Sequence, residues 1–214
     1  MQIAIIGAGN VGKALASTLT RAGHDVTISA EHADHAREAA TATGASAAAS
    51  NADAAKNAQI VVLAVPATTL GVVVTELDLD GKVVVDVSNR PTPSADGPAT
   101  SIAEELQQRV PNARVVKAFN TLFASRQAEP TVGGISADAY VAGDDEQAKQ
   151  TVLDVVESAG FRPVDAGSLV SARTLEGMAW LNIQRNMAGG TWQDAWVLVG
   201  PDTVAAATTG DSRN

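Results

Sequence analysis

The apolar positions of this chain fall into short β-branched runs separated by alanine-rich stretches with a helical period. Residues 2–6 (QIAII) open the chain as strand formers, and similar runs recur at 25–29, 59–65, 82–87 and 113–117. The 59–65 run is apolar without alternation, the pattern of a parallel strand covered on both faces. Helices are expected from residue 13 and at 33–43, 50–57, 67–77 and 101–110, with a short strand at 45–49. Gly44 stops one helix, and Ser50 or Asn51 caps the next. Thr100 or Ser101 caps 101–110, with Glu104 in capping-box position. Strands at 138–142 and 162–165, with a helix at 144–159 between them, extend the same sheet. A long helix at 169–187 and a short element at 192–199 end the pattern. Alternating strands and helices predict an α/β fold: a Rossmann-type, doubly wound, mainly parallel sheet with a small helical C-terminal extension.

Composition narrows the class. The chain has 214 residues, 45% hydrophobic and 18% charged, enough to bury a real core. No apolar run is long enough for a bilayer span, and the first residues lack a basic signal-peptide start. The expectation is a cytoplasmic protein with no membrane partner. A net charge of −9 disfavours nucleic acid, whose phosphates need clustered Lys and Arg. The absence of cysteine excludes disulfides, thiol catalysis and thiolate metal sites. No metal-ligand spacing appears.

The first strand runs directly into Gly7-Ala8-Gly9-Asn10-Val11-Gly12 and then a helix. Strand, glycine turn and helix form a pyrophosphate cradle. Gly7 supplies the tight turn, Gly9 lets the backbone approach the phosphates, and Gly12 lets helix and strand pack. Gly7 to Lys13 also fits a nucleotide triphosphatase loop, but Ala14 stands where that loop needs Ser or Thr for magnesium. After the second strand, Ala30 and Glu31 meet the adenosine ribose. Glu31 either bonds the ribose hydroxyls or is a helix-start acid favoured by the macrodipole. Facing the ribose, it favours NAD(H) over NADP(H), unless His32, His35 and Arg37 offset it. His24, His32 and His35 are all expected near the adenosine end, which disfavours a catalytic histidine.

The nicotinamide end is expected at the carboxyl edge of later strands, where Val65, Pro66, Asn89, Ala118, Phe119 and Asn120 fall. The 88–93 loop, with Pro91 and Pro93, lies on the same edge. Asn120 either binds a carboxamide or ribose or caps the following turn. Lys117 is either a proton donor or a solvated strand-end lysine. Trp180, Trp192 and Trp196 crowd one C-terminal stretch, as a stacking wall with Trp192 and Trp196 on one helical face, or as a seal against the sheet or a second subunit. Arg173 and Glu176 have the spacing of an i,i+3 pair.

Four segments carry a family resemblance: residues 3–12, 83–89 (VVVDVSN), 115–121 (VVKAFNT) and 172–176 (ARTLE). Together they resemble the NADPH-dependent reductases of the deazaflavin coenzyme F-420 and their predicted dinucleotide-binding relatives. The resemblance implies a dinucleotide-binding Rossmann domain at 1–167, an extension at 168–199 closing the cleft, and a flexible tail at 200–214. It implies NADP(H) as cofactor and hydride transfer to a second acceptor, a flat ring such as F-420 or a flavin. The family's NADP members place Ser-Arg where this chain has Ala30-Glu31, which leaves NAD(H) open. Two alternatives stand beside it, a reductase of a small carbonyl or imine and a non-catalytic dinucleotide sensor. The β-hydroxyacid dehydrogenase type needs a large helical second domain, and only residues 166–214 follow the last expected strand. A homo-oligomer is expected, a dimer through the C-terminal region.

Overall fold

The computed structural model describes residues 1–90 and 100–200. Pro91 and Pro93 of the expected edge loop, and the tail beyond 200, lie outside the described residues. The elements in order are β1 (Gln2–Ile6), α1 (Asn10–Arg21), β2 (Asp25–Ser29), α2 (Ala33–Thr43), β3 (Ser46–Ala47), α3 (Asn51–Lys56), β4 (Ile60–Leu63) and α4 (Ala67–Val73). Then come β5 (Val83–Asp86), α5 (Ile102–Arg109), β6 (Arg114–Lys117), α6 (Ala124–Ala128), β7 (Thr131–Val132), β8 (Ile135–Ser136) and β9 (Asp138–Gly143). The chain continues through α7 (Glu146–Ser158), β10 (Arg162–Asp165) and α8 (Ala172–Met187).

Eight strands form one sheet in the order β10-β9-β6-β5-β4-β1-β2-β3. Strands β1 to β6 are parallel, in the 3-2-1-4-5-6 order of the doubly wound dinucleotide fold. β9 adds antiparallel to β6, and β10 runs parallel to β9. The unbroken apolar runs follow from this burial. On β1, Ile3 and Ile5 pack with Leu15 and Leu19 on one face, while Ala4 and Ile6 pack with Leu70 and Leu106 on the other. Neighbours on a strand point to opposite faces, so a sheet covered on both sides needs every position apolar. Each fully buried aliphatic side chain contributes about 1.5–3 kcal/mol.

Local signals set the helix ends. Ser101 caps α5 with a complete capping box through Glu104, Ser50 caps α3, and Asp145 caps α7. The chain differs from expectation at its end. The 169–187 segment begins as a 3₁₀ turn at Leu169–Ser171 before α8. Residues 192–199 form no helix, so Trp192 and Trp196 share no helical face. The reason is local: Asn186 Oδ1 accepts from the Trp192 N–H at 2.6 Å, and Trp192 adopts φ 58. The chain then runs extended along the sheet margin. Ser125 donates to the Trp192 carbonyl at 2.5 Å, and the Asp138 N–H donates to the Trp196 carbonyl at 3.0 Å. The two-stranded β7–β8 hairpin, turning at Gly133-Gly134, had no counterpart in the sequence reading. Among the described residues, no helix is long and apolar enough to cross a membrane.

Candidate functional site

The glycine turn is built from backbone. β1 ends at Ile6, and the Gly7 N–H reaches sideways to the Ser29 carbonyl on β2 at 3.0 Å. Gly7 has φ 113, and a Cβ there would stand 2.5 Å from the Ala64 carbonyl oxygen. Only glycine fits both constraints. A Cβ on Gly12 would lie 1.9 Å from the Gly7 carbonyl oxygen, so α1 touches the turn it leaves. Gly9 behaves oppositely: nothing lies within 4 Å of its missing Cβ. Gly9 and Asn10 are exposed, and Val11 is half-buried. The turn is therefore packed on its inner side and open on its outer side, where free N–H groups at the start of α1 face solvent.

Beside the turn lies a groove of about 540 Å³, lined by Gly9, Lys13, Ala30, His35 and Glu38 among others. Ala30, expected at the adenosine ribose, is one of these lining residues. Glu31 is exposed and does not line the groove. Lys13, on the first turn of α1, does, and so does His35, whose ring meets His32 edge-on at 5.4 Å. His24 is not at this end. It precedes β2 at the amino edge of the sheet, where Nε2 contacts Ser158 Oγ at 2.8 Å and Nδ1 approaches the chain's amino group. Burial, and then the positive N-terminus, hold its pKa below the ordinary value.

The other half of the carboxyl edge is built from side chains. Lys117, the last residue of β6, is fully buried. Its Nζ donates to Asp86 Oδ2 at 2.8 Å, to the Ser88 carbonyl at 2.6 Å and to Glu176 Oε1 at 3.1 Å. A lysine so enclosed is no solvated strand end, and its three donors are taken. Asp86 Oδ1 accepts from both the N–H and the hydroxyl of Ser88. Glu176 Oε1 also accepts from the Ile102 N–H at the first turn of α5, at 2.8 Å. Glu176 Oε2 stands 3.7 Å from Arg90 Nε, an ion pair longer than a hydrogen bond. Arg90 in turn donates to Glu105 and to the Thr100 carbonyl. Arg173 does not pair with Glu176. It makes a two-pronged pair with Glu104 at 2.8 and 2.5 Å, and this holds the Glu104 pKa at about 2. The i,i+3 spacing is overridden because α5 offers each residue a better partner.

Asn89 and Asn120 meet across this edge. Asn89 Nδ2 donates to the Asn120 carbonyl at 2.9 Å, and Asn120 Nδ2 donates to Asn89 Oδ1 at 2.8 Å. Asn120 is not a helix cap, because α6 starts after Phe123. Ala118 and Phe119 are core residues, not a lining. Phe119 takes φ 58, which turns its ring inward onto Phe161 at 5.8 Å. Such strain in a non-glycine residue is held only where surrounding packing enforces it. Val65 and Pro66 lead off the edge into α4. A cavity of about 230 Å³ follows, lined by Ala67, Thr68, Arg90, Glu105 and Arg109 among others. The tryptophans do not form one wall: Trp192 packs edge-on against Phe123 at 5.1 Å, and Trp180 belongs to α8. No group of three His, Cys, Asp or Glu among the described residues is arranged to hold a metal.

The strand order and the glycine turn define a Rossmann-type domain of the dinucleotide-binding class. Residues 2–90 match the family model described as NADP oxidoreductase coenzyme F-420-dependent. A candidate F-420-dependent NADP reductase from Arthrobacter sp. FB24 superposes with a TM-score of 0.82 at 28% identity, covering 94% of this chain and 100% of that one. The hypothetical protein SMa0349 from Sinorhizobium meliloti is 35% identical, with a TM-score of 0.72 over 80% of this chain and 88% of that one. The metalloreductase STEAP3 of Rattus norvegicus is 31% identical over 177 residues, which are 82% of this chain and 36% of that protein. The chain thus spans about a third of the length of the curated relatives it matches.

Proposed function

We propose that this chain is an NAD(P)-dependent oxidoreductase that moves a hydride between a nicotinamide dinucleotide and a second acceptor, a flat ring such as a deazaflavin or flavin. The observation that carries this reading is the glycine turn: sterically full behind Gly7 and Gly12, open in front of Gly9. Residues 1–167 hold the dinucleotide, and 168–199 close the cleft. The turn N–H groups and the start of α1 hold the pyrophosphate. Ala30, Lys13 and His35 take the adenosine ribose. Asn89 and Asn120, locked to each other, orient the nicotinamide end. The bound nicotinamide supplies or receives the hydride. The acceptor sits where α4 and α5 leave the carboxyl edge, beside the cavity at Ala67 and Arg90. Lys117 holds the edge and moves no proton, so ring-to-ring transfer at close approach needs positioning more than a side-chain acid.

NADP(H) is the cofactor we favour. The cationic Lys13 lines the ribose groove and Glu31 does not. Titrating the protein with NADPH and with NADH separately tests this. NADPH binds more tightly, and Lys13→Ala removes about tenfold from NADPH alone, as loss of one charged phosphate contact does. Equal loss for both dinucleotides overturns the assignment of Lys13. Failure of both dinucleotides to bind overturns the function itself. A dimer through the C-terminal region fits the exposure of Leu181, Met187, Leu198 and Val199, and sedimentation reads it directly.

A further inference from the structure

The glycine turn uses no charged side chain, yet six converge where α8 meets the carboxyl edge, three of them buried. Asp86 and Lys117 are fully buried at the ends of β5 and β6, and Glu176 is 5% exposed on α8. Arg90, Glu104 and Arg173 surround them. Burying a carboxylate that does no chemistry is costly unless its bonds fix something. Glu176 fixes three elements together. One oxygen accepts from Lys117 on β6 and from the Ile102 N–H on α5, and the other faces Arg90 beyond β5. Lys117 carries the same tie on to the Ser88 carbonyl, one residue before Asn89. Asn89 is the residue that grips Asn120. A continuous chain of bonds therefore runs from α8 through Glu176, Lys117 and Ser88 to the asparagine pair.

We propose that Glu176 is a positioning residue: it clamps the C-terminal helix to the carboxyl edge and so holds the nicotinamide-end geometry at Asn89 and Asn120. This role rests on the oxidoreductase reading for its catalytic consequence, though the clamp itself does not. Charge balance makes Glu176 the link to cut. Without it, Asp86 still pairs with Lys117, and Arg90 still pairs with Glu105. Glu176→Ala therefore removes the clamp without stranding a charge pair. Glu176→Gln keeps a carbonyl oxygen for both Ile102 and Lys117, and serves as the rescue.

The test compares both variants with the parent by hydrogen exchange and by NADPH binding and oxidation with a deazaflavin or flavin acceptor. In Glu176→Ala, exchange in residues 172–187 and around 102–106 rises by about tenfold or more, while peptides of β1 and α1 keep their rates, as local opening does. Turnover falls by about tenfold, the NADPH dissociation constant stays within about twofold, and Glu176→Gln restores most of both exchange and turnover. A uniform rise in exchange, or none at α8, overturns the clamp. Exchange that rises at α8 with turnover unchanged, or with binding lost in parallel, overturns the positioning role. If the parent protein binds no NADPH, the proposed function fails while the exchange comparison still decides the clamp.

Discussion

Around β1 and β2 the carboxyl edge is made of backbone. The turn leaves N–H groups open at the start of α1, and it carries no charge. Around β5 and β6 the same edge is made of side chains, with a fully buried lysine between two carboxylates and two asparagines bonded to each other. On the proposed function, the first half meets a pyrophosphate, a constant chemical object for which shape and a helix start suffice. The second half would then hold the reacting end, and its own structure is held by charges taken out of water. The two halves should therefore break in different ways: the charged one through its folding energy, the glycine one through steric fit and binding.

The largest effect is expected at Lys117. Lys117→Met leaves Asp86 and Glu176 buried without their shared cation, and the loss should be about 3–5 kcal/mol, the cost of stranding buried charge. Urea unfolding measures it. A loss under about 1 kcal/mol would mean that the side-chain half is not held by its charges, since surface pairs contribute no more than that.

The next effect divides the glycines from one another. Gly12→Ala forces a methyl against the Gly7 carbonyl oxygen, 1.9 Å away, and costs about 1–3 kcal/mol by overpacking. Gly9→Ala meets nothing within 4 Å, so its stability should stay within about 0.5 kcal/mol of the parent. On the proposed function, NADPH binding should weaken in both variants: the methyl at position 9 would stand in the open space assigned to the phosphates, and the one at position 12 displaces the turn. Thermal unfolding beside an NADPH titration separates the two outcomes. Intact binding in Gly9→Ala would remove the pyrophosphate from this turn.

The two halves also differed in how far they could be read from sequence. The backbone half was legible because its signals are local: an apolar run, three glycines at fixed spacing, then a helix. The central strands β1, β4, β5 and β6 were legible for the same reason, since burial on both faces leaves unbroken apolar runs, whereas the two residues of β3 are exposed. The side-chain half was not. Lys117 and Glu176 are separated by 59 positions, and nothing near either one says that they meet. Arg173 and Glu176 even carry a misleading local spacing, while their real partners sit on α5, β6 and the loop after β5. Trp192 and Trp196 misled likewise, because Asn186 captures the Trp192 N–H and ends the helix before either ring. The second strand's end was half legible: Ala30 lines the groove, but Lys13, which faces it from α1, looked like an ordinary helix residue.

The smallest expected effect is a pH signature confined to the side-chain half. Arg173 is the main cause holding Glu104 at about 2, against an ordinary value of 4.5, with the Ser101 bonds adding to it. A carboxyl with a lowered folded-state pKa stabilises the fold fully above its ordinary value, and that contribution is lost as pH falls from about 4.5 through about 2. Arg90 lowers Glu105 in the same direction, so the parent curve alone does not isolate Glu104. The difference between parent and Arg173→Ala does. Above about pH 5 the variant should be less stable by a constant margin, and the two curves should converge as pH drops toward 2, read by denaturant unfolding across that range. Partial exposure of Arg173 keeps the margin small, because solvent screens the pair. Gly9→Ala, at the other half of the edge, should run parallel to the parent throughout. If Gly9→Ala bends with pH and Arg173→Ala does not, the charged half has been placed at the wrong end of the edge.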